Sequence, residues 1–289
     1  MKKIIVLLAL ILIFAGCVNR NTDVTDDDLK IVTSFYPVYL FTQNVTAEAE
    51  NVTVKNLTLK SSTGCLHGYH LTTANMKDIE EADVFIINGA NMEESFLEDI
   101  KEAYPNLPII DTSFGVEVVK NTFSNEDNSH IWLSVENAKK QVENIKTSLM
   151  EIDNKNSTLY AQNADNYILT LNELEKNVEE KYNYNVVAMH DSLYYFADSL
   201  GLNIIDIIQN DEDDVPSPKR LQEIIQNIKD NDVKAIFAEE ESDKLANMLA
   251  LETGVKVYVF DSITSGEGIA EEYINRMKNN IETLEQIAK

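Results

Sequence analysis

The chain has 289 residues, of which 44% are hydrophobic, and its formal net charge is −25. This length suits one large domain or two lobes, and the hydrophobic fraction is high enough for a core, which argues against global disorder. The acidic surface repels nucleic acid and anionic substrates and attracts cations, so we predict no nucleic-acid partner.

The N-terminus has the features of an export signal. Two lysines precede an unbroken apolar run over residues 4–14, which is too short to span a bilayer comfortably. The small residues before Cys17 resemble a lipobox, which implies cleavage at that point and a lipid on the Cys17 sulfur. We therefore predict a lipoprotein signal peptide at 1–16, a polar tether at 17–29 and an extracytoplasmic, membrane-anchored protein. Plain secretion with a free cysteine is the alternative.

Predicted strands and helices alternate along the rest of the chain, which is typical of parallel sheets flanked by helices. The predicted strands are residues 31–35, 52–59, 84–87, 107–111, 186–189, 203–208, 235–238 and 256–260. One predicted helix begins near Pro37. The others cover residues 73–82, 93–103, 134–150, 191–200, 219–231, 242–253 and 271–288. Four strands thus fall in each half of the chain.

A long amphipathic segment separates the two halves. Its apolar positions recur at helical spacing, which predicts a helix over residues 154–183. These positions are Tyr160, Ala164, Tyr167, Leu171, Leu174 and Val178. An ordinary core helix or a coiled-coil segment would give the same pattern. We predict an α/β fold with two lobes, at 30–153 and 184–289, each a helix-flanked, mainly parallel four-stranded sheet, joined by this one long connector helix.

The chain has four histidines, and two of them, His67 and His70, lie in one loop after a predicted strand. His130 lies just before a predicted helix, and His190 ends a predicted strand. In open α/β sheets, ligands bind beyond the carboxyl ends of the strands. The histidines can therefore converge on a cleft between the lobes. Taken alone, each histidine is more typical of a hydrogen-bonded structural role, and it is their convergence that favours a metal site.

Acidic side chains follow two further strands, Glu239 after residues 235–238 and Asp261 after residues 256–260. Imidazole and carboxylate groups together suit Zn²⁺ in tetrahedral geometry. The affinity order of divalent metals favours zinc over manganese at a site rich in nitrogen, with Mn²⁺ as the alternative. Cys65 and His70 lie close enough in sequence to His67 to be additional ligands, although Cys65 is also typical of a small buried residue.

Seven segments follow one another in the order of a known family's motifs. They are 66–72, 82–89 with Met92 and Glu93, 129–133, 187–191 with Tyr195 and Phe196, 216–218, 236–239 and 259–262. Together they resemble the zinc- and manganese-binding solute-binding lipoproteins of ABC importers, the cluster A-I or solute-binding protein 9 family. The resemblance implies His67, His130 and His190 as metal ligands. It implies Asp261 as the acidic fourth ligand, with Glu239 as second choice.

The same resemblance implies a function and a partner. The protein would capture a divalent metal in the interlobe cleft and deliver it to an ABC permease in the cytoplasmic membrane, as a monomer and without enzymatic activity. The residues leave two alternatives open. One is a secreted zinc-dependent hydrolase, which three histidines with an open fourth position would serve, although the chain has no His-Glu-x-x-His motif. The other is a structural or adhesive surface lipoprotein.

Overall fold

The computed structural model describes residues 28–59, 69–121, 125–176, 182–209 and 216–287. The predicted signal peptide, Cys17 and nearly all of the predicted tether lie outside these ranges, as do Cys65 and His67. Within the described residues, no helix combines the length and the apolarity that a membrane span requires.

The first half of the chain forms a four-stranded sheet in which every pair of neighbours is parallel. Its strands are β1 (Leu29–Thr33), β2 (Val52–Asn56), β3 (Val84–Ile87) and β4 (Ile109–Asp111), in the order β2-β1-β3-β4. All four residues of β3 are buried, as expected for a strand covered on both faces. The edge strand β2 has no fully buried residue.

The second half repeats this architecture. Its strands are β5 (Asn185–His190), β6 (Asn203–Gln209), β7 (Ala235–Ala238) and β8 (Val257–Val259), all parallel, in the order β6-β5-β7-β8. His190 is the last residue of β5, so its side chain lies at the carboxyl edge of this sheet.

Helices flank the two sheets. They are α1 (Tyr36–Val45), α2 (Thr73–Glu80), α3 (Leu97–Ala103), α4 (Val135–Ile152), α5 (Ser157–Lys176), α6 (Leu193–Leu200), α7 (Pro218–Asp230), α8 (Lys244–Thr253) and α9 (Glu272–Ile287). A short 3₁₀ helix (Ile131–Leu133), which the sequence did not predict, precedes α4. The predicted fold class, two α/β lobes with four parallel strands each, is confirmed.

The long helix α5 is shorter than predicted. Its apolar stripe is buried from Tyr160 to Leu174. Beyond the helix, the amides of Tyr182 and Asn183 bond to the carbonyls of Leu200 and Gly201, so these two residues are not helical. The first turns of α5 lie beside the end of α1, where the side chain of Asn163 donates to the carbonyl of Val45 at 3.1 Å. It thus links the first lobe to β5.

A second difference concerns α3, which begins at Leu97 rather than at residue 93. The carboxylate of Glu93 is buried and accepts hydrogen bonds from the Ser34 hydroxyl and from the N–H groups of Asn88 and Gly89, at 2.6, 2.8 and 3.1 Å. These bonds fix the turn after β3, and the chain becomes helical only beyond it.

The two lobes share one hydrophobic core, and Trp132 lies where they meet. Its ring packs edge-on against Phe35, with centroids 4.8 Å apart, and its Nε1 donates to the carbonyl of Ser262 at 2.8 Å. The hydroxyl of Tyr273 donates to the carbonyl of Trp132 at 2.6 Å. The 3₁₀ helix that follows His130 is therefore fixed to segments of both lobes.

Candidate metal centre

The structure brings His130 and His190 together. Their ring centroids are 5.2 Å apart and the ring planes are nearly perpendicular, at 87°. The side chain of His130 is 1% exposed and that of His190 is 10% exposed. His130 directly precedes the 3₁₀ helix and His190 ends β5, so an imidazole from each half of the chain enters one largely buried space.

One edge of each ring faces oxygen acceptors. Oδ1 of Asp191 lies 3.5 Å from Nδ1 of His130 and 3.4 Å from Nδ1 of His190. Oδ1 of Asn128 lies 3.0 Å from Nδ1 of His130. Metal-binding histidines commonly donate one ring N–H to a carboxylate or carbonyl and bind the metal with the other nitrogen. On this pattern a metal would bind through Nε2 of each ring.

The surroundings of His190 show what metal binding would change. Its Nε2 is buried and has no hydrogen-bond partner within the described part of the chain. The N–H of Ser192 points at its Nδ1 from 3.2 Å, which suits the neutral tautomer with the proton on Nε2. A metal at Nε2 requires the other tautomer, and Oδ1 of Asp191 is placed to accept the Nδ1 proton that it carries.

Asp191 is itself held by a loop of the first half of the chain. Its Oδ2 accepts from the side chain of Asn121 at 2.9 Å, and its backbone carbonyl accepts from the side chain of Asn128 at 3.0 Å. The hydroxyl of Tyr195, on α6, donates to the carbonyl of Asn128 at 2.9 Å. These bonds orient Oδ1 of Asp191 towards the two imidazoles.

His130, His190 and Asp191 form a group whose donor atoms all lie within 4.8 Å of one another. Ligand atoms around a tetrahedral Zn²⁺ are about 3.4 Å apart when the bonds are about 2.1 Å long, so the group has the size of a metal site. The sequence analysis did not identify Asp191 as a residue of the site. The available signal was an acidic residue directly after a candidate histidine at a strand end.

The other predicted ligands have different surroundings. Asp261 follows β8 at the same sheet edge as His190, but its carboxylate forms an ion pair with Arg276 and it is not a member of the group above. Glu239 follows β7 and accepts a hydrogen bond from the hydroxyl of Ser192 at 3.3 Å. His70 is exposed. His67 and Cys65 lie outside the described residues.

Two parallel-sheet lobes with histidines meeting between them define the class of two-lobed solute-binding proteins. The family model described as ZnuA, zinc-uptake complex component A, periplasmic, matches residues 31–287. The chain therefore belongs to this family.

Named relatives cover nearly the whole chain. The manganese-binding lipoprotein MntA of Halalkalibacterium halodurans is 27% identical over 300 residues, which is 98% of both chains. The high-affinity zinc uptake system protein ZnuA of Bacillus subtilis is 28% identical over 313 residues, 96% of this chain and 95% of that protein. Among solved structures, the SBP FpvC of Pseudomonas aeruginosa in complex with Mn²⁺ matches with a TM-score of 0.79 and 25% identity, over 90% of this chain and 98% of that one.

Proposed function

We propose that this protein is the substrate-binding lipoprotein of an ABC importer, and that it captures a divalent transition metal between its lobes for delivery to a permease. The observation that carries this proposal is the meeting of His130 and His190, in a chain of the zinc-uptake family, with their Nδ1 edges turned to Asp191. The metal is cargo, so it must be bound and also released.

The proposed ligands are Nε2 of His130 and of His190, together with His67 and a carboxylate oxygen of Asp261. Asp191 is proposed to accept the Nδ1–H protons and so to orient both rings. Three imidazoles and one carboxylate suit Zn²⁺ better than Mn²⁺, because the affinity order favours zinc at nitrogen ligands. Zinc is therefore the proposed cargo, with manganese as the alternative.

The cellular arrangement follows from the same proposal. A lipid on Cys17 anchors the protein outside the cytoplasmic membrane, where it meets the permease as a monomer. Four protein ligands would leave no open position on the metal, whereas catalytic zinc sites keep one for water or substrate. We therefore propose a receptor without enzymatic activity rather than a hydrolase.

Calorimetric titration of the metal-free protein with Zn²⁺ tests whether the protein binds the proposed metal. We expect one equivalent to bind. His190→Ala should weaken binding by more than about 100-fold, the upper range for losing only an outer-shell partner. His70→Ala is the matched control, because it deletes an exposed imidazole, and it should bind as the wild type does.

Two results would contradict the proposal. Absence of stoichiometric binding of both zinc and manganese would favour a structural or adhesive role. Hydrolysis of ester or peptide substrates by the zinc-loaded protein, well above the rate with the His190→Ala variant, would favour the enzyme.

A further inference from the structure

Arg276, on α9, holds the carboxylate of Asp261 with two nitrogens. Its Nε donates to Oδ2 and its Nη2 to Oδ1, and its Nη1 donates to the carbonyl of Ser265. The N–H of Ile263 also donates to Oδ1 of Asp261, at 2.9 Å. A bidentate, charge-assisted pair of this kind is among the stronger side-chain contacts in proteins. It occupies both oxygens that a metal would use.

The backbone of Asp261 is held separately from its side chain. Asn280, also on α9, accepts from the N–H of Asp261 at 2.9 Å and donates to its carbonyl at 2.8 Å. Asn280 is buried, so this two-point contact is shielded from water. The carboxylate can therefore exchange partners by side-chain rotation, while the main chain keeps its position.

That position lies on the sheet edge that carries His190. β8 is two strands from β5 in the sheet, which corresponds to about 10 Å along the edge. The next residue, Ser262, accepts a hydrogen bond from Trp132, whose ring centroid is 5.2 Å from that of His130. Asp261 thus lies on the same sheet edge as His190, while its carboxylate is bound to the guanidinium.

We propose that Arg276 competes with the metal for Asp261, so that capture requires the carboxylate to turn from the guanidinium to the metal. This inference rests on the proposed function, since it needs Asp261 to be a ligand. The exchange lowers the net affinity for metal, because the ion pair must be broken. It also favours release, because the guanidinium is available to take the carboxylate back.

Arg276 can tolerate this loss of its partner. Its side chain is 23% exposed and that of Asp261 is 34% exposed, so water reaches the pair. After the exchange, Arg276 retains its bond to the carbonyl of Ser265. The guanidinium is therefore not left as an unsatisfied buried charge, and contact with water weakens the bidentate pair that the metal has to displace.

The test combines Arg276→Met and Asp261→Asn, alone and together, with Zn²⁺ affinity and dissociation rate as the measurements. Arg276→Met should bind about five- to tenfold more tightly, the size expected for a partly exposed ion pair, and should release zinc more slowly. Asp261→Asn should weaken binding. In the Asp261→Asn background, Arg276→Met should change zinc affinity only by the effect of removing one positive charge from α9.

Lys278→Met measures that charge effect, because it removes a cation from the same helix at a side chain that is 60% exposed. Arg276→Lys keeps the charge but cannot bind the carboxylate in the bidentate geometry of a guanidinium. It should therefore raise zinc affinity by a smaller factor than Arg276→Met does. If Arg276→Met does not fold, Arg276→Lys tests the proposal in its place. A zinc affinity of Arg276→Lys equal to that of the wild type would contradict the proposed competition.

Different results would contradict the proposed ligand set and the proposed competition by Arg276. If Asp261→Asn binds zinc as tightly as the wild type, Asp261 is not a ligand and the ligand set of the proposed function is wrong. If Asp261→Asn weakens binding but Arg276→Met matches Lys278→Met, or binds more weakly than the wild type, the competition is overturned and the ligand set stands.

Discussion

A single oxygen, Oδ1 of Asp191, lies within 3.5 Å of Nδ1 of both histidines. Because the histidines come from different halves of the chain, this carboxylate couples the orientation of one ring to that of the other. Its own position depends on Asn121 and Asn128, which come from the first half. The residues that orient the two imidazoles therefore also come from both halves of the chain, and each contact needs the assembled fold.

Glu93 shows the cost of burying a carboxylate. Burial raises its pKa from the usual 4.5 to about 7, although its hydrogen bonds with Ser34, Asn88 and Gly89 lower the pKa in part. The folded state therefore binds this proton more tightly than the unfolded state does. The resulting stability is fully present below about pH 4.5 and is lost as pH rises through about 7.

We expect Glu93→Gln, which cannot titrate, to remove this dependence. The free energy of unfolding of the wild type, minus that of Glu93→Gln, should fall by about 3 kcal/mol between pH 4.5 and 7.5, at about 1.4 kcal/mol per pKa unit. Urea unfolding at a series of pH values measures it. Glu94→Gln removes the exposed carboxyl next in the chain and controls for the lost charge. A constant difference across this range would contradict the assigned pKa.

At the scale of single elements, Gly89, two residues after β3, has a left-handed backbone, at φ 76°. A Cβ there would lie 1.9 Å from Oδ1 of Asp111 and 2.5 Å from the hydroxyl of Ser113. That oxygen of Asp111 accepts from the N–H and the hydroxyl of Ser113, so moving it breaks these two hydrogen bonds after β4. The ends of two neighbouring strands therefore depend on the absence of a side chain at Gly89.

Gly89→Ala should consequently destabilise the fold by about 2–3 kcal/mol, through backbone strain and lost hydrogen bonds. Gly254→Ala is the matched control, because Gly254 has φ 79° and no atom within 4 Å of the added Cβ. Gly254→Ala should lower the free energy of unfolding by only about 1 kcal/mol, from backbone strain alone. Thermal or urea unfolding of the two variants compares them, and equal losses would show that the contact with Asp111 carries no cost.

The elements themselves were predictable where local chemistry decides them. Ser134 caps α4, and Gly201 and Gly254 end α6 and α8 in left-handed conformations, at the ends of the predicted ranges 134–150, 191–200 and 242–253. The strand positions followed from hydrophobic patterning. The contacts of Asp191 with Asn121, and of Asp261 with Arg276, join residues 70 and 15 positions apart through the tertiary fold. No local pattern encodes such pairs, so the orientation of the site had to come from the structure.

At the scale of the whole molecule, the main hydrophobic core runs through both lobes. It includes Phe35 and Ile86 from the first half, Phe196 and Phe237 from the second, and Trp132 between them. A chain of this length commonly unfolds in steps, domain by domain. A continuous core opposes that behaviour, because unfolding one lobe exposes the apolar surface of the other.

We therefore expect both lobes to unfold in one transition. Trp132 is the only tryptophan of the chain and lies where the lobes meet, so its fluorescence reports their separation. Urea midpoints from this fluorescence and from far-ultraviolet circular dichroism should coincide. Zinc at 100 times its dissociation constant should raise the free energy of unfolding by about 2.7 kcal/mol in both measurements, and should do so far less in His190→Ala. A fluorescence midpoint below that of circular dichroism would mean that the lobes separate first, and that the shared core does not make them one cooperative unit.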